Sequence, residues 1–252
     1  MNKEYSCRVV SRKMLTTDTA YLTIECPEIA SSARPGQFVN VSCSRFLKRP
    51  FGIASVDISK GTFNIGIKNV GSGSSELTSV EEGTVINVLG PLGNGFDLAS
   101  SDNYILVSGG TGVFPVNFAY ENLKAAGKNV AVVQGFRDKS QMCLSSDEYV
   151  VTTDAGDYGI KGTCICGLDT LSFTKDTVVL CVGPVPMMKA VGEWAKSKGL
   201  KCFISMEQRM ACGIGICLVC VCKVKAEKEG VPFEHVRCCK DGPVFEYGEV
   251  IL

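Results

Sequence analysis

The chain has 252 residues, 45% hydrophobic and 21% charged, with 26 Lys+Arg balanced by 26 Asp+Glu. That length holds two ordinary domains and a small module. Zero net charge argues against a general nucleic-acid binder, and no apolar run reaches the roughly 20 residues that cross a bilayer.

Residues 1–100 read as short strands separated by turns: Ser6–Lys13, Ala20–Cys26, Gln37–Ser42, Thr62–Val70 and Val85–Leu89, with Pro35-Gly36, Lys60-Gly61 and Glu82-Gly83 as breaks. This spacing predicts a small antiparallel barrel or sandwich. Residues 101–205 change rhythm. A buried strand, Tyr104–Ser108, leads through Gly109-Gly110-Thr111-Gly112 into a helix reaching about Ala126. Further strands are expected at Asn129–Gln134, Glu148–Thr152, Thr177–Val182 and Lys201–Ser205, with a helix over Pro186–Lys198. Strands alternating with helices predict a parallel sheet. Residues 206–252 form a cysteine-rich module. The start of the chain has no apolar core of a signal peptide, so a cytoplasmic location is expected, where thiols stay reduced.

Fourteen cysteines fall into two groups. Cys7, Cys26, Cys43, Cys143, Cys164, Cys166, Cys181 and Cys202 are scattered among apolar or strand-like segments and are expected to act as small buried hydrophobes. The other six crowd between positions 212 and 239. Cys212, Cys217 and Cys220 read C-x4-C-x2-C, and Cys239 follows after 18 residues, the spacing of a plant-type [2Fe–2S] site. Gly213 and Gly215 suit such a loop because glycine tolerates positive φ. Four cysteines also hold zinc, but zinc sites usually pair two short knuckles, whereas here the fourth ligand arrives alone. Cys222 and Cys238 compete for ligand places, and spacing does not choose among them. A single histidine, His235, excludes a Rieske centre. Ile214, Ile216, Leu218 and Val219, beside the ligands, are expected to pack within the module, with a partner contact as their other use.

The loop Gly109-Gly110-Thr111-Gly112, between a strand and a helix, presents backbone N–H groups and a helix dipole to an anion such as a pyrophosphate. Pro115 stands where a third Rossmann glycine would be, and proline fits as an early helical residue. A tight turn without ligand accounts for the loop equally well until Gly183-Pro184 is added, at the carboxyl end of another strand. Together the two loops favour a nucleotide. In the first region, Arg49 precedes Pro50, Phe51 and Gly52, and Gly66-Ile67-Lys68 and Gly71–Ser74 follow. Arginine offers a fork for phosphate, although a surface arginine and a hairpin turn also explain these residues.

In this order the segments resemble the electron-transfer subunit of NAD-dependent dihydroorotate dehydrogenase of type B, within the ferredoxin-reductase superfamily. The resemblance spans the chain and is closest in Met206–Cys217 and Cys239–Phe245. It implies an antiparallel FAD-binding β-barrel (1–100), a parallel-sheet α/β nicotinamide-binding domain (101–205) and a small [2Fe–2S] module (206–252). By position it assigns Cys212, Cys217, Cys220 and Cys239 to the cluster, with Cys239 preferred over Cys238 because Lys-Asp-Gly-Pro-Val-Phe follows it. Arg49, Pro50, Phe51 and Gly52, then Gly66, Ile67 and Lys68, then Gly73 and Ser74 match three FAD-binding segments. Gly109, Gly110, Thr111, Gly112, Gly183 and Pro184 fall to NAD. Three positions depart from the family pattern: Gly52 replaces a serine, Ser74 a threonine, and Val182 the cysteine before Gly-Pro.

The implied partner is an FMN-containing catalytic dehydrogenase subunit in a two-plus-two heterotetramer. Its electrons would pass through [2Fe–2S] and FAD to NAD+, in pyrimidine biosynthesis. No substrate acid–base constellation is evident, and no catalytic residue is assigned. Two other readings are a related NAD(P)H-linked reductase serving ferredoxin or another flavoprotein, and a cluster-bearing sensor without nicotinamide turnover.

Overall fold

The computed structural model describes residues 3–226 and 230–252. Six strands, β1 (Lys3–Met14), β2 (Thr19–Glu25), β3 (Phe38–Val41), β4 (Arg49–Asp57), β5 (Thr62–Lys68) and β6 (Val85–Leu92), close into an antiparallel barrel in the order β1-β2-β5-β4-β3-β6. Period-two alternation sends Leu22 and Ile24, Val39 and Val41, and Phe63, Ile65 and Ile67 into its core. Closure lengthens the outer strands beyond the sequence reading. Lys3 pairs with Gly90 and Met14 with Ala20, partners that a local pattern does not reveal. Short helices α1 (Pro27–Ser32) and α2 (Ser72–Thr78) lie beside β5. The Gly71–Ser74 run, expected as a hairpin turn, opens α2 instead. It does so because Ser74 Oγ accepts the N–H of Val70 and Gly71 and closes the first turn itself.

The middle of the chain supplies β7 (Asn103–Gly109), β8 (Asn129–Phe136), β9 (Val150–Thr153), β10 (Ile160–Lys161), β11 (Val178–Val182) and β12 (Lys201–Ser205), all parallel, in the order β10-β9-β8-β7-β11-β12. Helix α3 (Val113–Ala125) packs Val116, Ala119 and Leu123 on one face, against Tyr104, Leu106 and Leu180. The short α4 (Cys164–Leu168) and α5 (Val185–Ser197) cover the other, where Val191 and Trp194 meet Ile105, Val107 and Val179. Burying each such side chain stabilises the fold by about 1.5–3 kcal/mol.

The C-terminal part forms a hairpin, β13 (Val221–Val224) with β14 (Glu234–Arg237), and then β15 (Val244–Glu246). β15 joins the parallel sheet, antiparallel to β12, with Phe203 opposite Glu246 and Ser205 opposite Val244. The sequence reading kept this segment apart from the sheet. The α5 face of the sheet continues into the cysteine module: Met206, Met210, Cys220, Cys222, Cys238 and Cys239 share one core with Ile204 and with Phe38 and Leu92 from the barrel. Among the described residues, no helix is long and apolar enough to cross a membrane.

Candidate cofactor cleft and cysteine loop

Barrel, sheet and cysteine module border one cleft of about 340 Å³. Pro50, Phe51, Gly52, Gly66 and Lys68 line it from the barrel, Thr111 and Val182 from the sheet's loops, and Met206, Glu207 and Met210 from the approach to the cysteines. Lys68 Nζ is 3.4 Å from Asp18 and also donates to Gln141. Glu207 lines the cleft with its side chain exposed at the rim, and desolvation by the surrounding protein pushes its pKa up. Ile67 points into the barrel core and does not line the cleft.

Arg49 pairs across the barrel with Val41 and donates from Nη1 to the carbonyl of Leu47 at 2.6 Å. Its guanidinium lies flat against Gly73, where a Cβ would come within 2.5 Å of Nε. A larger residue at Gly73 would push the guanidinium aside, so the glycine leaves the arginine its place as a cationic cradle. Ser74 does not share in it. Its hydroxyl donates to Gly71 O at 2.9 Å and is consumed within the turn.

The glycines of the two nucleotide loops serve each other. A Cβ on Gly112 would lie 2.2 Å from Val182 O, and one on Gly109 would meet Met187 Sδ at 2.5 Å and Pro184 Cδ at 3.0 Å. Gly183 likewise abuts Met187 and Gly109. Only Gly110, at φ +53° with open space where a side chain would project, stands clear for a ligand's approach. On the barrel side, Gly66 makes way for the Phe114 ring and Gly52 for Pro115, so the start of α3 seats directly on the barrel. Val182 faces the cleft, whereas Cys181 lies in the opposite core and does not substitute for a thiol there. Arg137 is exposed beyond β8, while Asp138 accepts the N–H of Ser140 at 2.8 Å and caps a local turn.

The cysteines gather as two pairs. Cys212 Sγ accepts the N–H of Ile214 at 3.5 Å and of Cys217 at 3.4 Å, which draws Cys217 to it. Cys220 Sγ accepts the N–H of Cys239 at 3.4 Å, which brings those two cysteines together. Gly213 (φ +70°), Gly215 (φ +85°) and Leu218 (φ +58°) give the loop the left-handed turns that aim these amides inward. Arg237 grips Asp241 through Nε (2.8 Å) and Nη2 (2.9 Å) and reaches Gly215 O at 3.3 Å, which ties the loop to the return segment. Desolvation alone would raise the Cys212 thiol, but the N–H donors of Ile214 and Cys217 outweigh it and bring its pKa down to about 6. Burial, then the Cys220 thiol, pushes Cys239 up to about 12. Among the described residues, no three His, Cys, Asp or Glu side chains converge as around one ion. Two adjoining thiol pairs suit a two-iron cluster, each iron taking one pair, better than a single tetrahedral zinc.

The rival cysteines turn elsewhere. Cys238 Sγ donates to Met206 O at 3.2 Å, and Cys222 Sγ to Val236 O at 3.8 Å. Of the apolar neighbours expected to be buried, Ile216 is 75% exposed, Leu218 60% and Val219 50%, surrounding the exposed Cys217. The tight loop turns them outward because its backbone amides face the thiols. Sequence reasoning also missed Phe38, Phe114 and Met210 as cleft residues, and Asn40, whose amide lies against Gly213. The alternation Phe38-Val39-Asn40-Val41 was the available signal, since it sets Phe38 and Asn40 on one face.

A barrel with an arginine cradle, joined to a parallel sheet with paired glycine loops and a four-cysteine loop, defines an oxidoreductase of the ferredoxin-reductase type. Residues 6–96 match the oxidoreductase FAD-binding domain, and residues 207–251 match the iron-sulfur cluster binding domain of dihydroorotate dehydrogenase B. The electron transfer subunit of dihydroorotate dehydrogenase B (NAD(+)) from Caldanaerobacter subterraneus subsp. tengcongensis is 34% identical, over 100% of both chains. Its counterpart from Geobacillus thermodenitrificans is 34% identical over 97% of both. The chain belongs to this family of electron transfer subunits. Among solved structures, that of an NADH-dependent reduced ferredoxin-NADP oxidoreductase, studied for flavin-based electron bifurcation, aligns at TM-score 0.86 and 29% identity. That alignment covers 100% of this chain and 91% of the other. Phthalate dioxygenase reductase, at TM-score 0.64 and 18% identity over 94% of this chain and 76% of its own, shares the fold.

Proposed function

We propose that this chain conducts electrons between a dihydroorotate-oxidising partner and NAD+. Cys212, Cys217, Cys220 and Cys239 hold a [2Fe–2S] cluster. Arg49, Gly73 and the segments Pro50–Gly52 and Gly66–Lys68 hold FAD, and Gly110 and Thr111, beside Val182, Gly183 and Pro184, receive NAD. Nicotinamide exchanges two electrons as a hydride, the cluster one at a time, and flavin does both, which is the chemistry these groups supply when bound. The chain's own contribution is placement. Met206 and Met210 line the cleft and Cys212 follows two residues after Met210, so a group seated between barrel and nucleotide loops lies beside the cysteine loop. That adjacency is the observation that carries the reading.

Arg49 supplies fixed positive charge for a pyrophosphate, and Phe114 and Pro115 shut water out between barrel and helix. The exposed Ile216, Leu218 and Val219 ring the cysteine loop and suit a partner that delivers electrons there, an FMN-containing catalytic subunit in a two-plus-two assembly. The purified chain, loaded with FAD and cluster, is expected to reduce dyes with NADH yet leave dihydroorotate untouched. It should oxidise dihydroorotate only when co-expressed with the FMN subunit. Dihydroorotate turnover by the chain alone would falsify the assignment.

A second reading has support of its own: the full-length likeness to the ferredoxin-NADP oxidoreductase structure favours a related reductase that serves ferredoxin or another flavoprotein. Co-purification with a partner that reduces ferredoxin, and not dihydroorotate-dependent activity, would move the assignment there.

A further inference from the structure

Asn40 is an anomaly in the core between barrel and cysteine module. It is 0% exposed, and neither Nδ2 nor Oδ1 has a hydrogen-bond partner among the described residues. Leaving a buried amide group unpaired is costly, so a native fold keeps one only where something else satisfies it. Its place on β3 is set by alternation. Val39 and Val41 fill the barrel, while Phe38 and Asn40 face outward, Phe38 into the cleft. Asn40 is flanked in the barrel by Pro50 and Leu89, neither of which offers a side-chain acceptor.

Across the interface Asn40 meets the cysteine loop. A Cβ on Gly213 would come within 2.2 Å of Asn40 Nδ2 and 3.2 Å of Leu92 Cδ1. Gly213 adjoins Cys212 and holds φ at +70°, so glycine is demanded both by the turn and by the amide pressed against it. The core on this side of the barrel, from Phe38 and Leu92 to Met210, Cys220 and Cys239, is apolar and rich in sulfur. An N–H donor pressed against the loop at Gly213, next to Cys212 and without a partner among the described residues, is suited to sulfur. Hydrogen bonds to cluster sulfurs strengthen as negative charge is added, and so raise the reduction potential.

We propose that Asn40 donates a hydrogen bond from Nδ2 to a sulfur of the cluster, so that the flavin barrel itself tunes the cluster's potential. Asn40 is a positioning residue whose strand carries Phe38 at the cleft and the amide at the cysteine loop. A single β-strand thereby reaches both the flavin cleft and the cysteine loop.

This inference rests on the cluster assignment, and the test separates the two. Iron and sulfide analysis with EPR of the reduced wild-type protein comes first, and lack of a two-iron cluster defeats the cluster assignment itself. With the cluster present, Asn40→Leu is expected to lower its midpoint in an EPR-monitored titration. The reduced-to-oxidised ratio at the wild-type midpoint should fall about tenfold, which is about 59 mV for one electron. The FAD midpoint should stay in place. An unmoved cluster midpoint, or a shift confined to FAD, overturns the proposal. If the variant does not retain its cluster, wild-type protein labelled with ¹⁵N-asparagine decides. No asparagine occurs between Met206 and Pro243, and the Asn94 amide beside that segment is already given to Asp241 O and Val244 O, so a ¹⁵N coupling to the reduced cluster in pulsed EPR is expected to come from Asn40. Absence of that coupling overturns the proposal equally.

Discussion

Cysteines of the parallel sheet and cysteines of the C-terminal loop occupy opposite chemical settings in the same molecule. In the sheet domain, desolvation pushes Cys202 on β12 up to about 12 and raises the fully buried Cys181 on β11, and it pushes Cys164, on α4 against the sheet, up to about 11. In the loop, Cys212 is also penalised by desolvation, yet the N–H groups of Ile214 and Cys217 bring it down to about 6. What separates the two is the backbone: flat strands spend their amides on neighbouring strands, whereas left-handed turns at Gly213, Gly215 and Leu218 free them for sulfur. A thiol becomes a ligand here by the turns around it, more than by its own burial. Cys239 and Cys220 show the complement. They form a buried pair in which burial, and then the Cys220 thiol, pushes Cys239 up to about 12.

The comparison breaks most sharply at Cys239. Cys239→Ser is expected to abolish the cluster, read as loss of iron and of the visible absorption beyond that of flavin. Cys238→Ser, one residue away, should leave both intact, because Cys238 turns to Met206 O. Equal loss in the two variants would mean that the pairing is wrong. Gly215→Ala comes next. It forces a side chain into φ +85° and towards Lys240 Cδ at 2.7 Å, at about 1–2 kcal/mol for the backbone alone. Cluster retention on gel filtration is expected to fall with FAD content unchanged.

Cys181→Ala should lower stability by about 1–2 kcal/mol, the cost of a small buried cavity, measured by denaturant unfolding. Cluster and flavin spectra should not change, and a spectral change would blur the division between the two cysteine groups. The smallest effect is in pH. The thiols of the sheet domain have folded pKa values above the ordinary thiol value of about 8.5, so the stability they contribute is full below it. It is lost as pH rises towards about 11 for Cys164 and about 12 for Cys202. Alkaline unfolding titrations should show this decline, and Cys164→Ala should flatten it.

Much of this was legible in the chain because the signals were local. C-x4-C-x2-C, the strand alternation of the barrel and the helix following Gly112 all depend on residues close in sequence, and each lies where it was expected. The short helices were not legible. α2 arises from Ser74 capping its own turn, and that geometry looks in sequence like any Gly-Ser loop. The glycines have a second use that the sequence does not show. Gly109, Gly112 and Gly183 also let the two loops meet at close distance. The outward turn of Ile216, Leu218 and Val219 was hidden as well, since composition shows hydrophobicity and not the direction a tight loop imposes.

β15 has a further consequence, for assembly. The parallel sheet has an open flank at β12 until residues 244–246 arrive to pair with it, and those residues come after the whole cysteine loop in the chain. An uncovered strand flank is a template for aggregation. During synthesis the protein is therefore most vulnerable just when its thiols are being arranged, and a truncation that spares every cysteine but removes β15 should yield insoluble material. Protection against self-association is thus completed only after every cysteine of the loop has been made.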